Sequence, residues 1–229
     1  MNTTKKMLVI DVETAGGFGN PLVYDFGYKV TDRKGTNYEE GSYMINDVIR
    51  NYEYMSTAYY GEKLPQYWED YQQGKRDIIT VEVMAMLIDE LIARYDIEAI
   101  CAYNAKFDVN AIINTLSNFG YNYNPFGMTP IYDIWGMACE TLGLQKRYFK
   151  DVDKQNWLSE CGNPKTSAEV MWRYISRMFD FEEDHTGRED VEIEVQIMVK
   201  CFATHKKMTK YIINNPWMIV RSAYNDYKM

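Results

Sequence analysis

Residues 6–11 read KMLVID, an apolar run closed by an acid. A short unbroken run of this kind fits a strand buried on both faces, at the centre of a layered sheet. A second acid follows two residues later, so the run ends in Asp11 and Glu13 of DVET. Side chains two apart on a strand share a face, and both acids therefore project together from the strand's carboxyl end. Open α/β sheets place their ligand sites at that end. An acid at a strand end before a threonine turn also has a purely structural explanation, so D-x-E needs company before it means chemistry.

The rest of the chain supplies layers for such a strand. Residues 22–30 (LVYDFGYKV) and 37–45 (NYEEGSYMI) predict a second and a third strand, joined by hairpin-like residues 31–36 (TDRKGT). Residues 47–75 are polar and tyrosine-rich, predicting short helices or a loop over the sheet. Residues 80–95 predict an amphipathic helix capped by Thr80. A buried strand over 98–103 (EAICAY) follows, then a helix over 107–119 ended by Gly120. Residues 130–134 (PIYDI) predict a short strand running into a helix to Leu142. Residues 145–165 predict a loop-rich insertion, after which Thr166 or Ser167 caps a helix to Met178. Two more helices are predicted, over 188–203 and over 217–227, the last docked by Trp217. The order β-β-β-α-β-α-β-α fits an α/β domain around a mixed central sheet flanked by helices.

With 229 residues the chain fits one large domain or two small ones. The length favours a single α/β domain over residues 1–229, with insertions near 47–75 and 145–180 and a C-terminal extension at 204–229. Net charge is −8, with an isoelectric point near 4.9. That argues against sequence-independent gripping of long duplexes, which needs a basic face. It remains compatible with an enzyme that holds one strand end. Cys101, Cys139, Cys161 and Cys201 form no CxxC, predicting neither a zinc site nor a disulfide framework. Cys101 and Cys201 lie in apolar runs and are expected to be buried. The N-terminal apolar run is too short for a secretion signal, and no stretch approaches membrane-spanning length. The expectation is a soluble, intracellular, cytoplasmic protein with no membrane partner.

Two further acids stand out by position. Asp108 follows the AICAY strand and opens a helix on the same face as Ala111, Ile112, Thr115, Leu116 and Phe119. An acid there is costly unless something pairs it, although a helix-start acid is also favoured by the macrodipole. Asp190 precedes Ile193, Ile197 and Cys201 at helical spacing, on the apolar stripe rather than the face carrying Glu189 and Glu192. Four acids projected to one spot repel each other, and divalent cations relieve that repulsion. Oxygen-rich sites of this kind suit Mg²⁺ or Mn²⁺. Two such ions about 3.5–4 Å apart can activate water and stabilise a leaving 3′ oxygen. His185 lies five residues before Asp190 and can face the same spot if it sits in the loop before the helix. Its residue type suits a general base.

These residues together resemble the DEDDh 3′→5′ exonucleases, which include the proofreading subunits of bacterial replicases. DVET at 11–14, YNAKFD at 103–108 and HTGRED at 185–190 are similar to the three family blocks. LVYDFGYKV resembles the family's second strand, with an acid and a glycine at Asp25 and Gly27, and IYDI at 131–134 is similar to a further strand. The resemblance implies a ribonuclease-H-like fold, with Asp11, Glu13, Asp108 and Asp190 holding two Mg²⁺ or Mn²⁺ ions and His185 as general base. It implies that Thr14 meets the terminal nucleotide and that Asn104 and Phe107 support the second block and the substrate. A sister subgroup carries Tyr four residues before the last Asp; here that residue is Thr186. Gly187 and Val191 stand where alanine is usual, and Tyr103 where many members carry histidine.

The function so implied is hydrolysis of single-stranded DNA or RNA from its 3′ end to nucleoside monophosphates. The same fold acting on short oligonucleotides or dinucleotides, or a non-catalytic nucleic-acid-binding module, are the alternatives. The sequence names no replication or repair partner. Tyr52, Tyr54, Tyr59, Tyr60, Tyr67 and Trp68 are candidates to stack bases, or to pack as a lid. Lys206, Lys207 and Lys210, beside His205, are candidates for backbone phosphate or for a solvated helix end.

Overall fold

The computed structural model describes residues 4–17, 19–183, 185–204 and 207–229; His205 and Lys206 of the cationic run lie outside them. Six strands form one sheet: β1 (Lys6–Ala15), β2 (Leu22–Asp32), β3 (Asn37–Ile45), β4 (Asp77–Ile79), β5 (Ile97–Ala102) and β6 (Ile131–Asp133). Their order across the sheet is β4-β3-β2-β1-β5-β6. β1–β2 and β2–β3 are antiparallel, whereas β1–β5, β5–β6 and β3–β4 are parallel. The sheet is therefore mixed, and the apolar run at 7–10 is fully buried between both layers.

Strand alternation sorts β1 into those layers. Leu8, Ile10 and Val12 pack with α1 (Asn46–Ile49), α2 (Tyr52–Met55), α3 (Leu64–Gln72), α4 (Val81–Tyr95) and α5 (Ala105–Asn118). Met7 and Val9 pack with α6 (Ile134–Thr141), α7 (Lys146–Gln155), α8 (Ala168–Ser176), α9 (Gly187–Thr204) and α10 (Trp217–Lys228). Local chemistry sets the helix ends. Thr80 accepts from the Val83 N–H to cap α4, and Ser167 rather than Thr166 accepts from Val170 to cap α8. Gly120, at φ +84°, lets the chain turn away after α5.

The tyrosine-rich segment folds as short helices. Val48, Ile49, Met55 and Tyr67 belong to the same core as Ile10, so the segment is part of a layer. Tyr67, a candidate for base stacking, is instead 1% exposed and committed to the core. Two elements depart from expectation. The three-residue β4 pairs with β3 just after the segment. Residues 145–165, expected to be loop-rich, contain α7, whose Tyr148, Phe149 and Val152 are buried. The last helix is anchored by buried Val220 and Tyr224, while Trp217 is only half-buried. Cys101 and Cys201 are buried, as their runs predict. Among the described residues, no helix is long and apolar enough to cross a membrane.

Candidate active site

Asp11 and Glu13 continue the face of β1 that carries Met7 and Val9, the face packed against α9. The β1–β2 register shifts between Glu13 and Thr14: Glu13 faces Asp25, Thr14 faces Val23, and Tyr24 is the extra residue. Such a bulge bends the strand and re-aims its side chains where β1 leaves the sheet. Asp190 lies in the first turn of α9, buried with Ile193, Ile197 and Cys201 along one stripe. His185 sits in the loop two residues before α9, in left-handed backbone at φ +53°. Glu13, His185 and Asp190 present ligand atoms that all lie within 4.8 Å of one another. Asp108, 3% exposed in the first turn of α5, receives its own backbone N–H and that of Val12, which ties it to β1 beside Asp11.

Electrostatics mark the cluster as under strain without a cation. Burial raises the pKa of Asp11 first, and the charges of Glu183 and Asp25 add to it. Glu13 is raised by burial and then by Asp11 and Asp190; Asp190 is raised by burial and then by Asp11 and Glu183. Asp108 is held well above the usual carboxylate range by burial and by Asp11. Among the described residues, Oδ2 of Asp11 and Oδ1 of Asp190 are buried without a hydrogen-bond partner. Oxygen donors, crowded negative charge and orphaned buried oxygens are what a hard divalent cation requires. The residues present therefore fit Mg²⁺ or Mn²⁺.

Thr14, Asn104 and Phe107 line two adjoining cavities. One, of about 290 Å³, is bounded by Glu13, Thr14, Tyr59, Tyr60 and Phe107. The other, about 640 Å³, runs along α5 past Asn104, Lys106, Phe107, Asn110 and Asn114, and the two share Pro21 and Phe107. The Asn104 and Ala105 N–H groups both donate to Asp133 at the end of β6, which holds the YNAKFD turn in place. Asn104 itself adopts φ +69° there.

Several contacts around the cluster were not foreseen from the sequence. The Tyr60 ring stacks on His185 with centroids 4.0 Å apart and planes within 7°. Glu183 Oε2 lies 3.9 Å from His185 Nδ1, and burial with the nearby Glu169 charge pushes Glu183 up to about 7. Asp25 is fully buried and accepts from Arg76 at 2.8 Å, the Tyr67 hydroxyl at 2.8 Å and the Gly187 N–H at 2.8 Å. Arg76 also donates to Ser42 and to Glu189, joining β2, β3 and the start of α9. A Cβ on Gly27 would stand 1.9 Å from the Gly187 carbonyl oxygen, so glycine alone permits α9 to approach β2 this closely. Glu194, 3% exposed and one turn beyond Asp190, is a further buried acid. Its i,i+4 spacing from Asp190 was the available signal for it.

No protein-family model matches the chain, and no curated protein sequence matches it. Solved structures do. Exonuclease I of E. coli in complex with a dA16 oligonucleotide superposes with TM-score 0.56 at 18% identity over 86% of this chain and 41% of that one. Exonuclease I in complex with the inhibitor BCBP gives TM-score 0.55 at 17% identity, over 87% of this chain and 42% of that one. Cell-death related nuclease 4 (CRN-4) gives 0.50 at 12% identity, over 96% and 77%. The fold is ribonuclease-H-like. This chain spans about two fifths of the exonuclease I chain it resembles.

Proposed function

We propose that the protein is a divalent-metal-dependent 3′→5′ exonuclease of DEDDh type acting on single-stranded DNA or RNA. One observation carries the reading: on a fold shared with exonuclease I, Glu13, Asp190 and His185 converge within 4.8 Å beside Asp11, with buried acid oxygens left unpartnered. Asp11, Glu13, Asp108 and Asp190 would hold two ions. Bound there, Mg²⁺ or Mn²⁺ would activate the attacking water and stabilise the leaving 3′ oxygen. His185 takes the proton from that water. The stacked Tyr60 ring fixes the imidazole plane, and Glu183 lies 3.9 Å from Nδ1.

Thr14 and the Tyr59–Tyr60–Phe107 cavity receive the terminal nucleotide, with the aromatic faces available to a base. The preceding nucleotides follow the amide-rich groove along α5, where the Asn104 and Asn110 amides can donate hydrogen bonds without needing a basic face, while the Asn114 amide is committed to Asn20 and the Pro21 carbonyl. That exonuclease I is crystallised with dA16 and dT13 oligonucleotides supports a single-stranded substrate here.

The test is a 5′-labelled single-stranded oligonucleotide, as DNA and as RNA, incubated with Mn²⁺. The expected result is a ladder shortening from the 3′ end, abolished by EDTA and reduced by at least about 1,000-fold in Asp11→Asn, the scale on which a catalytic electrostatic group is lost. Cleavage that survives both would contradict the assignment of these acids.

A further inference from the structure

Glu194 lies on α9 four residues after Asp190, so the two share a helix face. Helical side chains lean toward the helix N-terminus, which carries the Glu194 carboxylate back over the turn that holds Asp190. Burial holds its carboxyl well above the usual carboxylate range, and the Tyr103 backbone N–H at the end of β5 opposes this only in part. Among the described residues, its Oε2 is buried and has no hydrogen-bond partner. Asp11 is the charge that acts on it most strongly, followed by Asp108. Neighbouring apolar positions on α9, such as Ile193 and Ile197, show what ordinarily fills this layer. An unpaired carboxylate there costs far more than such a residue unless something binds it.

Resting on the metal-dependent reading above, we infer that Glu194 is a fifth carboxylate donor to the ions, reaching Asp11 and Asp108 from the floor of the site. The donor is the orphaned Oε2.

Calorimetric titration of Mn²⁺ into the metal-free full chain tests this, alongside Glu194→Gln, Glu194→Asp and Asp11→Asn, with the unfolding temperature of each in EDTA and in Mn²⁺. Glu194→Gln is expected to weaken uptake of at least one ion by about 10–100-fold, the scale of a lost metal-supporting group. It is also expected to lose part of the Mn²⁺-induced rise in unfolding temperature, without unfolding earlier than wild type in EDTA. Glu194→Asp, which keeps the carboxylate one methylene short, should recover part of the affinity, a rescue that a packing role does not give. Mn²⁺ uptake unchanged in Glu194→Gln but lost in Asp11→Asn overturns the role of Glu194 and leaves the proposed function standing. A wild-type chain that takes up no Mn²⁺ overturns both.

Discussion

Asp11, Glu13, Asp108 and Asp190 are all shifted upward, and in each case burial is the first cause and a neighbouring acid the next. A carboxyl whose folded-state pKa is raised binds protons more readily when folded, so its stabilising effect is complete below the unfolded value and is lost as pH rises through the folded one. The window opens near the ordinary carboxylate value of about 4 and extends at least to the value of about 7 held by Asp11. Thermal unfolding in EDTA should accordingly show stability falling across that window. Saturating Mn²⁺ at its upper end should restore it, because a cation does there what protons do at the lower end. A metal-free chain whose stability rises through the window would show that these acids are not crowded as described.

The positions of these residues were partly visible in the sequence. Asp11 and Glu13 follow from strand alternation, and Asp108 and Asp190 from their place on apolar helix stripes. Tyr60 was one of six candidate aromatics, but its pairing with His185 and that of Arg76 with Asp25 were not visible, because nothing in a polar, tyrosine-rich stretch says which ring reaches His185 or which cation reaches Asp25. Such pairings join residues far apart in the chain and depend on how the segment folds back over the sheet.

Among the elements, α9 matters most, since it brings Asp190 and the loop bearing His185 to the end of β1. Its start is held by Asp25 through the Gly187 N–H, by Arg76 through Glu189, and by the glycine-to-glycine approach at Gly27. Arg76 is 2% exposed and Asp25 fully buried, so Arg76→Ala leaves a buried carboxylate unpaired. Denaturant unfolding should register a loss of about 3–5 kcal/mol. A change near that of an exposed ion pair, about 0–1 kcal/mol, would mean that Asp25 is not anchored through this arginine.

The long strands and the helices with clear apolar stripes were legible to within a few residues. The exceptions have physical reasons. β4 has only three residues and owes its form to pairing with β3. α7 reads KRYFKDVDKQ, a mostly charged stretch whose few apolar positions, Tyr148, Phe149 and Val152, keep helical spacing but are too sparse to stand out. Trp217 attracted notice by size, but Val220 and Tyr224 face the core one turn further on.

At the scale of the molecule, the proposed function requires a net charge of −8 to be reconciled with a polyanionic substrate. The groove along α5 does this with asparagine side chains and a single lysine, Lys106. Each phosphate neutralised on a single strand contributes a slope of about −0.7 to the logarithm of affinity against the logarithm of salt. Binding of a single-stranded oligonucleotide to Asp11→Asn should therefore show a shallow dependence, near one such increment. A slope several times steeper would place a cationic track elsewhere, with Lys207 and Lys210 the first to examine. Composition alone argued against a duplex grip. It did not reveal the groove, because the amides that line it are unremarkable until α5 sets them on one face.

The most direct measurement is the size of the first product. A single-stranded oligonucleotide labelled only in its 3′-terminal nucleotide is mixed with the protein and Mn²⁺, and the earliest labelled product is sized. The account predicts a labelled nucleoside monophosphate from the first turnover, with no labelled fragment of intermediate length. Labelled oligonucleotides as the first product, or label retained while the strand shortens from its 5′ end, would contradict it.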